Sequence, residues 1–248
     1  MNAKTTVKTL AAALSIMLCG NAAAWNEAGA EKNRAIDLKP DHKRGIAVFE
    51  VCSACHLTEG WGLDDGTFPQ LAGQHRNVLI KQLEDIRQKN RDNPTMYPFA
   101  LDDQILAVAG YHEGEIDPAQ LVADVTAYIS TLPMNPENGK GPWDESAPEF
   151  AKGKQLFHDN CVKCHGDTGE GSNEKFFPRI QGQHYAYMLR QFEWIRDGKR
   201  RNANPDMVKQ IQGFSDQDMK MVINYVSRIP VPKKDLAPSK DWLNPDFD

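Results

Sequence analysis

Cys52-Ser-Ala-Cys55-His56 and Cys161-Val-Lys-Cys164-His165 decide how this 248-residue chain is read. Each is Cys-x-x-Cys-His. Two thiols one helical turn apart can add to the two vinyl groups on one edge of a porphyrin, and the next residue then aims its imidazole at the iron. The pattern is the attachment site of a c-type haem. Three other readings compete. A thioredoxin-like dithiol needs a βαβ setting, which neither pair has. A zinc site needs four ligands close together, yet more than a hundred residues separate Cys55 from Cys161 and each pair has its own histidine. Structural disulfides would leave the two histidines without a purpose. The motif also occurs twice, and the chain is therefore read as binding two covalent haem c groups through Cys52, Cys55, Cys161 and Cys164.

Outward from these pairs the sequence repeats. A shift of 109 residues carries Cys52 onto Cys161, Phe68-Pro69 onto Phe177-Pro178, and Gly73-Gln74-His75 onto Gly182-Gln183-His184. The same shift carries Gln82, Glu84, Ile86 and Arg87 onto Gln191, Glu193, Ile195 and Arg196. Gly45 and Phe49 match Gly153 and Phe157 at a shift of 108. Two copies of one haem domain are expected, at 25–133 and 149–232. A Pro-, Gly- and Asn-rich linker at 134–148 joins them, and a tail follows at 233–248.

The first 24 residues read as an export signal. Lys4 and Lys8 precede the apolar run Leu10–Cys19, and Ala22-Ala23-Ala24 offers a cleavage site. A lipid anchor on Cys19 is the rival, opposed by the bulky Leu18 before it. Ten apolar residues are too few to span a bilayer, which needs about 20. Mean hydropathy is −0.58, so a polytopic membrane protein is excluded. Cleavage after Ala24 leaves 27 Lys+Arg against 34 Asp+Glu, a formal −7. The expected product is periplasmic and acidic, has no transmembrane segment, and offers no basic patch for nucleic acid.

Both copies read as helical. Amphipathic stretches precede the cysteines at 43–51 and 149–160. Middle helices carry Leu79, Leu83 and Ile86, or Met188, Phe192 and Ile195, on one face. Closing helices run over 118–130 and 215–228, each stopped by a proline. The fold class is all-α.

Two helical haem domains in tandem behind a secretion signal resemble a dihaem class I cytochrome c of the cytochrome c4 family, over about Asp41 to Pro232. The resemblance implies that a glycine and an aromatic on the first helix cross an aromatic on the last: Gly45, Phe49 and Tyr128, then Gly153, Phe157 and Tyr225. It also implies that the carbonyls of Pro69 and Pro178 hold Nδ1–H of His56 and His165, leaving Nε2 for the iron. The distal ligand in the resembled family is a methionine from the loop after the middle helix. Met96 and Met207 stand there, both in Asn-Pro-x-Met. Met188, Met219 and Met221 read as core, and Met134 falls after the first closing helix. His75 and His184 recur at the start of the middle helices and are given a helix-start or surface role. His42, His112 and His158 are expected at the surface.

His/Met ligation favours electron transfer and fills both axial positions. The function expected is single-electron exchange between redox partners. The alternatives are a dedicated cytochrome subunit of a dehydrogenase or reductase complex, and a dihaem enzyme such as a peroxidase or thiosulfate dehydrogenase. An enzyme with a Cys-ligated haem is opposed by the lack of any mature Cys beyond the four. Partners with a basic docking face suit the acidic chain, a membrane-bound oxidase or reductase among them. Two features lie outside the repeat. Met96 to Tyr128 is 14 residues longer than Met207 to Tyr225, with room for an extra helical turn or two at 102–111. The tail holds Trp242 and Phe247, read as packing across a domain or meeting a partner.

Overall fold

The computed structural model describes residues 30–247, so the signal-peptide reading lies outside the described residues. Among those residues the chain is helical, with two isolated β-bridges and no named strand. No helix among them is long and apolar enough to cross a membrane. In the first copy lie α1 (Ala30–Asp37), α2 (His42–His56), α3 (Arg76–Arg87), α4 (Asp102–Val108) and α5 (Pro118–Thr131). The second holds α6 (Pro148–Asn160), α7 (Val162–His165), α8 (Tyr185–Arg196), α9 (Pro205–Ile211) and α10 (Asp216–Arg228). In the first copy α2 runs unbroken through its Cys-x-x-Cys-His, whereas the matching helix of the second breaks at Cys161 (φ −112, ψ −34) into α6 and α7.

Local chemistry starts these helices where the sequence offers acceptors. Asp41 caps α2 by accepting from Arg44 N, and Asp117 caps α5 by accepting from Ala119 N with Pro118 following. Ser215 and Asp218 form a reciprocal capping box at α10. On α2, Gly45, Val48, Phe49 and His56 fall on one stripe and are buried.

That stripe crosses α5 at a point only glycine allows. A Cβ on Gly45 would stand 2.5 Å from Asp124 O, and one on Gly153 would stand 2.1 Å from Met221 O where α6 crosses α10. Phe49 and Tyr128 meet with ring centroids 5.4 Å apart, as do Phe157 and Tyr225. Phe49 and Phe157 are fully buried, each contributing about 1.5–3 kcal/mol of apolar burial. The crossing expected from the resemblance is present in both copies. Asp124 also accepts from Asp41 N (2.6 Å) and Arg44 Nε (2.7 Å), tying the start of α2 to α5.

The copies meet through the Gly-Gln-His repeat. Gln183 donates Nε2–H to Gln70 O (2.8 Å) while its Oε1 accepts from Gln70 N (2.9 Å). At the matching place Gln74 donates to Arg179 O and accepts from Arg179 N, both at 2.9 Å. His75 Nε2 bonds Glu170 O (2.7 Å), and His184 Nε2 bonds Trp61 O (2.6 Å). The other ring nitrogen of His184, Nδ1, lies 3.0 Å from Gly139 N and 3.1 Å from Asp64 Oδ1. The 109-residue shift maps each of these contacts onto its counterpart, so the two copies are related by an approximate two-fold. His75 and His184 do start the middle helices, but His184 is fully buried rather than a surface residue. His42, His112 and His158 are exposed, as expected.

The connecting segment 134–148 is held along its length. Met134 is buried against Gly73 and Gly182, Asn138 Nδ2 donates to Gln183 O and Ser227 O, and Trp143 N donates to Asn224 Oδ1. The extra residues after Met96 form a 3-10 turn (Tyr97–Ala100) and α4, whose Ile105 and Leu106 join the first copy's core.

Candidate haem sites

Each site is built on the last turn of a helix and the loop that follows it. Cys52, Cys55 and His56 end α2; Cys164 and His165 lie on α7, with Cys161 as its N-cap. His56 Nδ1 donates to Pro69 O (2.9 Å), and His165 Nδ1 donates to Pro178 O (3.1 Å). The loop between is drawn tight in the same way in both copies. Gly62 N donates to His56 O (2.9 Å), and Leu71 N and Ala72 N share Gly60 O. In the second copy Gly171 N donates to His165 O (2.7 Å), and Ile180 N and Gln181 N share Gly169 O. Gly62 and Gly171 take φ of +68 and +71, and a Cβ on either would lie 2.3 Å from a carbonyl, of Phe68 or Phe177. Glycine alone fits there.

The electrostatics suit a neutral nitrogen ligand. Burial holds the His56 and His165 imidazoles below their ordinary pKa, with the proline carbonyls pulling the other way. A neutral ring with Nδ1–H engaged presents the Nε2 lone pair outward. Among the described residues Cys52, Cys55, Cys161 and Cys164 form no disulfide, and burial pushes the thiols of Cys52 and Cys161 up to about 12. Among the described residues no group of three or more His, Cys, Asp and Glu is arranged to hold a metal ion. Free paired thiols one turn apart beside a braced, buried imidazole fit a covalently attached haem.

The structure places the two methionines in related but unequal settings. Met96 precedes the 3-10 turn, its N–H shared between Asn93 O (3.1 Å) and Asn93 Oδ1 (3.2 Å). Met207 lies within α9, whose cap Asn204 accepts from Asp206 N (2.8 Å), and packs partly buried on the second core. Met188, Met219 and Met221 are buried core residues, as read from the sequence.

One interface cluster was missed in the sequence. Arg91 donates to Gln82, Gln191 and the Tyr187 hydroxyl; Arg200 donates to Gln191 and Gln82. Arg91 and Arg200 correspond at the 109-residue shift, and so do Gln82 and Gln191. Burial, aided by the charge of Arg91, pushes Arg200 down to about 9. Burial would raise the Tyr187 hydroxyl, but the two guanidiniums outweigh it and hold it below the ordinary value. The signal available was the match of Arg91 to Arg200 beyond the end of the middle helix.

Comparison with known proteins gives the same picture. The family model for cytochrome c matches twice, at residues 42–133 and 150–230. Cytochrome c4 of Stutzerimonas stutzeri is 30% identical over 199 residues, which span 75% of this chain and 88% of that protein. A thiosulfate dehydrogenase electron acceptor of the same species (strain A1501) is 29% identical over 72% of this chain and 79% of its own length. The crystal structure of reduced recombinant cytochrome c4 from Pseudomonas stutzeri superposes with a TM-score of 0.61 at 26% identity, over 77% of this chain and all of the other. Two domains of this family imply two covalently bound haem c groups, in the fold expected from the sequence.

Proposed function

The chain belongs to the cytochrome c family as a dihaem, cytochrome c4-like electron-transfer protein, and from that premise we propose that it is a periplasmic carrier passing single electrons between redox partners. Cys52 and Cys55 hold one haem by thioether bonds, and Cys161 and Cys164 hold the other. His56 with Met96, and His165 with Met207, would hold the two irons. Pro69 and Pro178 fix the tautomer and orientation of the histidines. When bound, the group would supply reversible one-electron chemistry. The observation that carries this reading is the matched pair of Nδ1–H···O=C bonds, His56 to Pro69 and His165 to Pro178. Such braces keep Nε2 in place for a permanent axial bond. Export behind a signal cleaved near Ala24 accords with haem attachment outside the cytoplasm.

Charge supports a docking preference. Among described side chains the first copy exposes ten carboxylates against four Lys and Arg, and the second exposes six against eight. A partner with a basic face therefore meets the first copy. The second reading, a dedicated acceptor for one dehydrogenase, is favoured by the relative named as a thiosulfate dehydrogenase electron acceptor. Both readings are electron transfer and differ in how exclusive the partner is.

The test is haem content combined with a redox titration. Two haems per chain that resist acid-acetone extraction, and two one-electron steps, are expected. One haem per chain, or haem that extracts, overturns the proposal.

A further inference from the structure

Past Pro232 the chain leaves the second copy and runs back over the first. Met134 N donates to Asp235 O (2.8 Å), Ala237 N donates to Met134 O (2.9 Å), and Asp235 pairs with Arg179 (3.2 Å). Trp242 then packs on Trp61 with ring centroids 6.0 Å apart and planes tilted by 35°. Asn244, 2% exposed, donates Nδ2–H both to Thr58 O (2.6 Å) and to the Tyr128 hydroxyl (2.8 Å), which itself donates to Asp246 (3.0 Å). Phe247 meets Phe49 edge-on at 5.8 Å.

The grip is one-sided. Thr58 and Trp61 belong to the loop leading from His56 to the Pro69 carbonyl. The second copy's counterpart of Trp61 is Glu170, whose carboxylate folds back on Thr168 N and Oγ1 (2.9 and 2.8 Å). Tyr225, the counterpart of Tyr128, has its ring contacts among the described residues with Phe150, Phe157 and His158 of its own copy. The match to the cytochrome c family ends at residue 230, before the tail.

We propose that Trp242 and Asn244 are positioning residues for the first haem alone. They clamp the loop that braces His56 and keep water from that side of the site. The proposal rests on His56 as an axial ligand. Water near an iron favours the more highly charged ferric state, so covering one haem raises its potential relative to the same haem uncovered.

The experiment uses the full-length holoprotein carrying Asn244→Ala or Trp242→Ala, with Trp242→Phe as the conservative variant. Amide exchange is followed at Gly62, Leu71 and Ala72, and at their counterparts Gly171, Ile180 and Gln181. The midpoint potentials are read by titration. Exchange at least about ten-fold faster in the first set alone is expected, with one potential lowered, the other unchanged, and both effects restored by Phe at 242. Exchange that rises equally in both sets, or in neither, overturns the proposal, as does an equal shift of both potentials. Haem count and the sulfur-to-iron charge-transfer band of the unmutated protein are recorded alongside. Their absence counts against the axial ligands, whereas a null result with both present counts against the clamp alone.

Discussion

Gln70 and Gln183 hold each other as a strand pair would: the side chain of Gln183 both accepts from and donates to the main chain of Gln70, at 2.9 and 2.8 Å. Gln74 does the same to Arg179 from the opposite copy. The two haem domains are thus joined by side-chain amides reading backbone, buried at Gln70 and Gln183 and half-buried at Gln74 and Arg179.

Replacing Gln183 by Ala leaves the N–H and C=O of Gln70 unpaired where that residue is 3% exposed. A loss of about 1–3 kcal/mol is expected, seen as a lower urea midpoint. Gln74→Ala should cost less, because Arg179 is only half-buried and water can replace the amide.

Gly45→Ala and Gly153→Ala each force a methyl into a carbonyl at a helix crossing. Overpacking of this kind costs about 1–3 kcal/mol. Thermal unfolding should shift downward for either variant, with haem content unchanged. A neutral outcome would mean that α2 and α5, or α6 and α10, are further apart than described.

His75 gives a pH signature. Burial lowers its pKa from the ordinary value, against the pull of its bond to Glu170 O. The unfolded chain therefore takes up a proton at a higher pH than the folded one. The contribution of His75 is whole above the unfolded value of about 6.5 and is lost as pH falls below it. His75→Gln retains an N–H donor without titrating. The fall in stability just below that pH should be shallower in the variant, measured by denaturant titration at a series of pH values.

Electron exchange with a basic-faced redox protein should slow as salt rises, since exposed charges are screened over about 10 Å at 0.1 M. Neutralising Asp102, Asp103, Glu113 and Glu115 in the first copy should lower the low-salt rate and flatten its salt dependence. Neutralising Asp159, Asp167, Asp197 and Asp206 in the second should do less. Stopped-flow rates at several ionic strengths decide between the two faces.

Covalent chemistry and repetition were legible in the sequence because they depend on residue type and spacing. The Cys-x-x-Cys-His pairs and the shift of 109 needed no knowledge of what lay opposite, whereas the Gly–aromatic crossing was implied by the resemblance to the cytochrome c4 family. The interface was harder to read. Gln74, His75, Gln183 and His184 act on backbone carbonyls of the other copy, and nothing in a carbonyl's own residue type announces that it will be used. Their repetition was the available clue, since a polar triplet kept at the same offset in two copies suits a reciprocal contact better than a solvated helix start. The tail was ambiguous for another reason. Trp242 and Phe247 suit an external partner as well as an internal one, and only the positions of Trp61 and Phe49 decide it.

Carbon monoxide binding by the fully reduced protein at neutral pH tests the central claim, that His56/Met96 and His165/Met207 fill both axial positions, most directly. The unmutated protein should bind little, because the gas must first displace a methionine. Met96→Ala and Met207→Ala should each bind one equivalent, at the altered haem only. Rapid, stoichiometric binding to well-folded unmutated protein would mean an open or labile iron, and would contradict the assignment of both methionines as permanent ligands.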